Sequence, residues 1–577
     1  MTEKTGADVV VQALKACGVR MVFGVPGTQT VALFDALSRA NDVRTVLASD
    51  EGSAGFMAHG YYRASGQPAA VVTIPGPGLT NVLTAAGESR EDSVALLHIV
   101  VGSPADPSRP YGLQPTYSSA LSPHIYKGVR HVSTRAELES VVADACEQAL
   151  SGEPGPVLLS LSPRVLNEMG SDAEARPVST ASHEDVGPAL EGMAQRIASS
   201  RRLCVLLGQG VSQAAGALVA LVEHTGALAI TNASGRGIIP DDHPRTVCSD
   251  FGGWGSGLVN ELIQQSDLVL ALGCKLTHNG SGGFSLNLPA EKLARLDISS
   301  EVLSAGYPAS LSVVADARAA LPRLLDLVRA MPHAQSGWTE EERSTWRSRF
   351  ESARASSVRH QSDLPDWPAH RVADFFSVLR RVLPRESHLV TDSGQHQVWS
   401  RQHYPVWSPL GLILPTDFQS MGFGLPVAMG AKLARPDVPV VAIVGDGGLL
   451  MSGLALVTAV QEKIPLSVIV FNDGALSQIQ YQQMQEYGRD FATTPGSISI
   501  EAFAISLGIE YAVLDFNMEQ TLKNSFQSER VTLLELRLRA GTSVATAAMV
   551  ARAKAAMRRG PGGSLLQSLW RRIKSGR

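Results

Sequence analysis

The stretch from Val438 to Gln478 reads VPVVAIVGDGGLLMSGLALVTAVQEKIPLSVIVFNDGALSQ. Two unbroken apolar runs, residues 439–444 and 466–471, have the pattern of strands that are buried on both faces. Residues 449–461 between them predict a helix that packs against the sheet. A strand–helix–strand order of this kind predicts a parallel sheet, and the loops that follow the two strands then share its carboxyl edge.

Both of these loops carry an acidic residue, Asp446 after the first strand and Asp473 after the second. Glycines at 445, 447 and 448 let backbone amides approach an anionic group closely, and a hard divalent cation could join the two carboxylates, a backbone carbonyl and a diphosphate. An Asp-Gly pair alone is also an ordinary turn, so the pattern by itself leaves both interpretations open.

Length and composition limit the class of protein. A chain of 577 residues exceeds one hydrophobic core and predicts two to four domains. A hydrophobic content of 44% with 18% charged residues is typical of a globular enzyme, and a net charge of −4 gives no electrostatic reason to expect nucleic-acid binding. No signal peptide or membrane span is predicted, so we expect a cytoplasmic location. The five cysteines have no Cys-x-x-Cys spacing and predict reduced core residues.

Alternating helix and strand patterns run through most of the chain and predict an α/β fold with three doubly wound parallel-sheet domains. The expected divisions are residues 1–166, 187–330 and 369–540, with a polar linker after the first, a charged linker over 331–368, and a basic tail over 541–577. The tail could dock on an acidic surface, but a solvated tail is the simpler interpretation.

The Gly-Asp-Gly loop, followed one strand–helix–strand unit later by Asn472-Asp473, resembles the magnesium and diphosphate motif of thiamine diphosphate enzymes. This resemblance implies that Asp446, Asp473 and the backbone oxygen of Ala475 bind magnesium. The family more often has Asn at the second position, and aspartate is an equally hard oxygen donor.

A second motif surrounds Glu51. An acid in the first turn of a helix is stabilised by the helix dipole and needs no function. However, Glu51 with the frame Ala54, Ala58, Gly60, Tyr61, Arg63 and Gly66 is similar to the helix of acetolactate synthase-like thiamine diphosphate enzymes. The resemblance implies that Glu51 hydrogen-bonds N1′ of the aminopyrimidine and assists proton transfer there. The family's His and Gln beside this Glu are Asp50 and Gly52 here.

The same resemblance implies further site residues in this chain. Gln114 would line the active site, and Met451 would bend the cofactor between its two rings. Backbone around Met421 would hold the pyrimidine, with a main-chain carbonyl bond expected at Gln419, where the family has Gly. The remaining predicted cofactor contacts are Pro26, Gly27, Gly394, Gln395, His396, Gly445, Gly447 and Gly448.

The implied activity is decarboxylation of a 2-oxo acid followed by carboligation to a second carbonyl compound, in an acetolactate synthase-like enzyme. The alternatives are simple decarboxylation to an aldehyde and a non-catalytic structural or regulatory relative.

The implied cofactors are thiamine diphosphate and Mg²⁺, and the implied assembly is a homodimer or a dimer of dimers with shared active sites. Lys275 to Asn279 does not match the family's FAD segment, which argues against bound FAD. Gln482 stands where acetolactate synthases have a Trp, which argues against their acceptor.

Overall fold

The computed structural model describes residues 4–102, 114, 124–170, 186–332, 337–362 and 369–538. These residues form three six-stranded sheets in which all neighbouring strands run parallel, with helices on both faces. The predicted fold class is thereby confirmed. The predicted basic tail and most of the polar linker after residue 167 lie outside the described residues.

The first domain has the sheet order β3-β2-β4-β5-β7-β6, and a separate antiparallel pair joins β1 to β8. The order reverses between β2 and β4, which is where a doubly wound sheet opens a ligand crevice. Its elements are β1 Lys4–Thr5, α1 Gly6–Ala16, β2 Met21–Gly24, α2 Val31–Ser38, β3 Arg44–Leu47, α3 Glu51–Ser65, β4 Ala69–Thr73, α4 Pro77–Asn81, α5 Leu83–Glu91, β5 Leu96–Val101, β6 Gly128–Val132, α6 Leu138–Leu150, β7 Pro156–Leu161, α7 Pro163–Asn167 and β8 Met169–Gly170.

The central domain has the order β11-β10-β9-β12-β13-β14, the arrangement of dinucleotide-binding folds. Its elements are α8 Gly187–Ser199, β9 Leu203–Leu207, α9 Ala215–Thr225, β10 Leu228–Thr231, β11 Thr246–Ser249, α10 Ser256–Gln265, β12 Leu268–Leu272, β13 Leu293–Asp297, α11 Ser300–Ser304, β14 Leu311–Val314, α12 Ala317–Ala330 and α13 Glu340–Ser362.

Helix α13 falls inside the segment that the sequence predicts as a charged linker. Trp346 and Phe350 of this helix are buried in the hydrophobic cluster beneath the central sheet, and Trp338 just before it is buried in the same cluster. The segment is predicted as a linker because it is rich in Ser and charged residues. These three aromatic residues are buried, and this burial attaches this part of the segment to the central domain.

The third domain repeats the topology of the first, with the order β16-β15-β17-β18-β20-β19. Its elements are α14 Ala369–Val382, β15 His388–Thr391, α15 Gln395–His403, β16 Leu412–Ile413, α16 Gly424–Ala434, β17 Val440–Gly445, α17 Asp446–Ser452, α18 Ala455–Gln461, β18 Ser467–Asn472, α19 Ser477–Tyr487, α20 Ile500–Ser506, β19 Glu510–Val513, α21 Met518–Gln527 and β20 Thr532–Arg537. The single helix predicted over 449–461 is therefore two helices, α17 and α18, with Gly453 and Leu454 between them.

The first and third domains pack together through helices α3 and α16. A Cβ placed on Gly60 would lie 2.1 Å from the carbonyl oxygen of Val427, and one placed on Gly430 would lie 1.9 Å from that of Met57. Only glycine permits this approach of two helix backbones. The crossing fixes the start of α3, where Glu51 lies, relative to the third domain.

The rest of the molecule agrees with the composition. All five cysteines are free and buried. Within the described residues, no helix combines the length and the apolar character that a membrane span requires.

Candidate active site

The acidic loops of the third domain lie at the point where its strand order reverses. Strand β15 pairs with β17 from His388 opposite Val440 to Thr391 opposite Ile443. The loop after β15 leads into α15, and β17 leads directly into α17. Ligands bind outside the carboxyl ends of such adjacent strands, so the predicted diphosphate residues occupy the expected crevice.

A glycine cradle, formed by Gly394, Gly445, Gly447 and Gly448, lines this crevice. A Cβ placed on Gly448 would lie 2.3 Å from Oδ2 of Asp392, and Gly394 has φ +144°. A Cβ placed on Gly445 would lie 3.2 Å from the His396 ring. The lack of side chains therefore brings the backbone of the cradle close to Asp392 and His396, in a loop geometry that suits an anionic ligand.

His396 provides a donor in this cradle. Its Nε2 is buried and has no hydrogen-bond partner within the described residues. Burial lowers the pKa of His396 to about 4, so the ring is neutral at pH 7. A buried, unpartnered ring nitrogen next to glycines fits a phosphate oxygen. Gln395, the neighbouring residue, is buried at the first position of α15.

Asp446 and Asp473 face each other across the strand ends. Burial raises the pKa of Asp446. The pKa of Asp473 is raised to about 6, first by burial and also by the charge of Asp446. The Asp473 carboxylate accepts hydrogen bonds from the hydroxyl of Ser477 at 2.5 Å and the amide of Ala475 at 3.2 Å.

The charge of Asp446 adds to burial in raising the pKa of Asp473, and a divalent cation between the two carboxylates would remove this repulsion. No group of three or more His, Cys, Asp or Glu residues forms a metal site within the described parts of the chain. The remaining ligands would therefore be the carbonyl of Ala475 and oxygens of the bound diphosphate.

Asp392 organises the same crevice, although its role was not predicted. It is fully buried, and its carboxylate accepts hydrogen bonds from the amides of Ser393 (2.9 Å), Gly422 (3.0 Å) and Phe423 (3.1 Å). Burial raises the pKa of Asp392 to about 6 despite these bonds. An acid directly after a buried strand was the available signal in the sequence.

The predicted pyrimidine contacts lie beside the cradle. Gln419 has φ +61°, and its side-chain amide donates to the carbonyl of Pro415 at 2.9 Å and accepts from the hydroxyl of Ser393 at 3.3 Å. The Met421 methyl would lie 3.5 Å from a Cβ on Gly447. Met451 is 64% exposed, and its Cβ lies beside Gly422. The structure thus places these predicted residues around one crevice.

Glu51 lies at the start of α3 in the first domain. Its Oε2 accepts a hydrogen bond from the side-chain amide of Asn81 at 2.9 Å. The preceding Asp50 caps the helix, because its carboxylate accepts from the amide of Ser53 at 2.8 Å. A Cβ placed on Gly52 would lie 3.1 Å from the Asp50 carboxylate. Gly52 therefore lies against the carboxylate of Asp50 that caps the helix.

The other predicted residues of the first domain surround the loop after β4. Gln114, with φ +50°, accepts a hydrogen bond from Gln29 at 2.8 Å, and its Cα would lie 3.4 Å from a Cβ placed on Gly76. Gln29 belongs to the loop that begins with Pro26 and Gly27 after β2. The sequence did not single out Gln29, whose side chain becomes recognisable only when the two loops meet.

The predicted site therefore consists of two half-sites. The first half-site contains Pro26, Gly27, Gln29, Glu51 and Gln114, and the hydrogen bonds given above for Glu51 and Gln114 stay within the first domain. The second half-site contains the glycine cradle, Gln395, His396, Gln419, Met421, Met451, Asp446, Asp473 and Ala475. Gln482, on α19 after the second half-site, is exposed.

A separate cavity of about 230 Å³ lies where the three domains meet. The loop after β9 and the loop after β12 border it and contact each other, with the amide of Gly210 donating to the carbonyl of Gly273 at 3.0 Å. This volume is below the roughly 300–1,000 Å³ of pockets that hold drug-sized ligands. The absence of FAD stays a prediction.

Three family models match the chain in order. They describe the N-terminal thiamine pyrophosphate binding domain, the central domain and the C-terminal thiamine pyrophosphate binding domain of thiamine pyrophosphate enzymes, over residues 4–122, 190–324 and 392–536. Thiamine pyrophosphate is another name for thiamine diphosphate.

Relatives match over nearly the whole chain. The large subunit of acetolactate synthase isozyme 1 from Escherichia coli K12 is 30% identical over 91% of each chain. The probable 2-ketoarginine decarboxylase AruI from Pseudomonas aeruginosa is 32% identical over 92% of this chain and 94% of its own. Probable acetolactate synthase 2 of rice is 30% identical over 86% and 75%. With these matches and the crevice described above, the chain belongs to the thiamine pyrophosphate enzymes and is an acetolactate synthase-like enzyme that uses thiamine diphosphate.

Proposed function

We propose that this enzyme decarboxylates a 2-oxo acid and joins the remaining fragment to a second carbonyl compound, with Mg²⁺ as the bound metal. The observation that carries the proposal is the crevice of the third domain. It combines a glycine cradle, two facing carboxylates (Asp446 and Asp473) and the buried Nε2 of His396, which has no hydrogen-bond partner in the described part of the chain.

Each group has a chemical role in this proposal. Asp446, Asp473 and the carbonyl of Ala475 would hold Mg²⁺, while His396 and the cradle amides would hold the diphosphate. Bound thiamine diphosphate supplies the positively charged ring that accepts the electrons of the carbon–carbon bond to the departing carboxylate. Glu51, positioned by Asn81, would exchange a proton at N1′ of the aminopyrimidine. Met451 would fix the angle between the two rings.

We also propose that two copies of the chain complete each active site. Met451 is 64% exposed, and Leu450 and Leu454 close to it are 43% and 65% exposed. Apolar side chains in one exposed patch are typical of an interface. The first half-site of a second copy would then cover this patch and bring Glu51 to the second half-site.

Simple decarboxylation is the second candidate reaction, because one relative is named a 2-ketoarginine decarboxylase. Asp50, Gly52 and Gln482 replace the residues that acetolactate synthases have at these positions. These replacements favour a substrate that differs from the substrates of acetolactate synthases.

The test of function incubates the purified protein with thiamine diphosphate, Mg²⁺ and single 2-oxo acids, with and without added aldehydes or second oxo acids. Release of carbon dioxide with a new carbon–carbon bond in the product supports carboligation. Release of carbon dioxide with an aldehyde as the only other product would contradict carboligation and support simple decarboxylation. Absence of bound thiamine diphosphate in the presence of Mg²⁺ would contradict both.

The shared site has its own test, in which Glu51→Gln and Asp446→Asn variants are mixed after dissociation and reassociated. A mixed dimer has one site with both defects and one site with neither, so random pairing restores about a quarter of the parent activity. If each chain held a complete site, no mixture of these two inactive variants would gain activity.

A further inference from the structure

The segment 415–421 carries the predicted pyrimidine contacts of the second half-site. Gln419 lies in this segment with a left-handed backbone, which a residue with a Cβ adopts only when its surroundings hold it. Part of this support comes from within the third domain, through the bonds of the Gln419 side chain to Pro415 and Ser393.

The central domain adds two bonds, from the amide of Asn279 to the Asp417 carboxylate at 3.2 Å and from its side-chain amide to the carbonyl of Thr416 at 2.6 Å. Further support comes from helix α5 of the first domain in the same chain. Oε2 of Glu88 accepts a hydrogen bond from the backbone amide of Ser420 at 2.9 Å. The hydroxyl of Thr416 donates to the carboxylate of Asp92, which follows α5. A Cβ placed on Gly87 would lie 2.7 Å from the Phe418 ring, so the helix and the segment are in close contact.

The two acids on this surface differ in their surroundings. Asp92 is fully buried and has Arg63 at 3.0 Å and His59 at 3.5 Å, and the pKa of its carboxyl is lowered. Glu88 is also fully buried, and its Oε1 has no hydrogen-bond partner among the residues that the structure describes. Burial first, and the charge of Asp92 second, raise the pKa of Glu88 to about 8. Burial beside a second acid therefore favours the protonated, neutral form of Glu88.

A buried acid beside a second acid costs stability, and an apolar side chain of the same size would fill the same space. What an apolar side chain would not supply is an acceptor for the Ser420 amide. That amide lies between Gln419 and Met421, the two predicted pyrimidine contacts.

We propose that Glu88 is a positioning residue, which holds the segment 415–421 in its cofactor-binding conformation through the amide of Ser420. The proposal rests on the proposed function of Gln419 and Met421. In each chain the first domain would then act twice: Glu51 would reach the cofactor directly, and Glu88 would shape the crevice of its own third domain.

The experiment compares two substitutions at this position. Glu88→Gln keeps a neutral acceptor of the same shape, whereas Glu88→Met keeps the volume and removes the acceptor. In Glu88→Met the Ser420 amide has no acceptor, so we expect thiamine diphosphate to bind about tenfold more weakly than to the parent. The dissociation constant of Glu88→Gln should stay within about twofold of that of the parent. Equilibrium titration of the apoprotein with thiamine diphosphate at fixed Mg²⁺ measures both dissociation constants.

Hydrogen exchange supplies a readout that does not depend on the cofactor. In the cofactor-free protein, Glu88→Met should lose amide protection in residues 415–423 and keep it in β9 of the central domain. Glu91→Gln, at an exposed position of the same helix, is the matched control and should change neither measurement. If Glu88→Met does not fold, Glu88→Asp replaces it, because the shorter side chain withdraws the acceptor from Ser420.

The possible outcomes separate this inference from the proposed function. Unchanged exchange in residues 415–423 of Glu88→Met would overturn the positioning role. Loss of protection spread evenly over all three domains would also overturn it, since the effect would then be one of general stability. Failure of the parent protein to bind thiamine diphosphate would instead overturn the proposed function and leave the exchange result to decide the role of Glu88.

Discussion

Glu51 is an acid whose position depends on a helix cap and on one neighbour. Asp50 caps α3, and Asn81 donates to the Glu51 carboxylate, so the acid points toward helix α4. The sequence motif predicts the residue, and the structure adds the side chain that orients it.

We expect Glu51→Gln to retain thiamine diphosphate and to lose turnover by about 10²–10⁴-fold, because an amide accepts the Asn81 hydrogen bond but cannot exchange a proton. Steady-state rates and a cofactor titration measure the two effects separately. Glu91→Gln serves as the control. A Glu51→Gln variant as active as the parent would remove Glu51 from the mechanism.

Gln419 combines backbone strain with compensating side-chain bonds. We expect Gln419→Ala to be less stable than Gln419→Gly by about 1 kcal/mol, because both lose the bonds and only glycine relieves the left-handed φ. Gln485, exposed on α19, is the control position, where alanine should be the more stable by about 1 kcal/mol. Thermal unfolding of the four variants tests both signs, and alanine more stable at both positions would contradict the prediction.

The crossing of α3 and α16 sets the position of the first domain relative to the third. Glycines at 60 and 430 appear in the sequence as ordinary small residues in helices, and nothing local predicts that they face each other. The pairing matters because it sets both the start of α3 and the start of α16 against the crevice.

We expect Gly60→Ala to destabilise the protein by about 3 kcal/mol or more, since its Cβ would overlap the carbonyl of Val427. Gly216→Ala is the control on α9, where no atom of the described residues lies within 4 Å of the added Cβ, and it should stabilise by about 0.5–1 kcal/mol. The shift of the thermal midpoint measures each change. Equal shifts for the two variants would show that the crossing is not tight.

Glu88 is a buried titratable group where the first and third domains of the chain meet. Because the pKa of Glu88 is raised to about 8 in the folded protein, the stability that it contributes is present below pH 4.5 and is lost as the pH rises to 8. Arg63 and Asp92 are the charged groups that face it. We expect the thermal midpoint of the parent to fall relative to that of Glu88→Gln between pH 5 and pH 8. A constant difference over this range would exclude the shifted pKa.

Assembly can be tested on the exposed apolar patch formed by Leu450, Met451 and Leu454. A lysine at Leu454, which is 65% exposed, should reduce the molar mass in sedimentation and lower activity with it, since a charge would be buried at the proposed interface. Phe516→Lys, at a fully exposed position, is the control and should leave the mass unchanged. An active Leu454→Lys protein of parent mass would place the interface elsewhere.

The sequence by itself determined the three parallel sheets and the acidic loops, because apolar runs, glycines and carboxylates follow one another within short stretches. Asp446 and Asp473 could be predicted because one strand–helix–strand unit carries both to the same edge. Local patterns did not predict the break between α17 and α18 or the burial of α13, since both depend on packing against distant residues.

Only the tertiary structure decided how the first domain supports the third. Glu88 and Ser420 are 332 residues apart, and no local pattern connects an acid inside a helix with a backbone amide at that separation. The physical reason is that strand and helix patterns reflect burial within a short window, whereas the partners of buried polar atoms are set by the packing of whole domains.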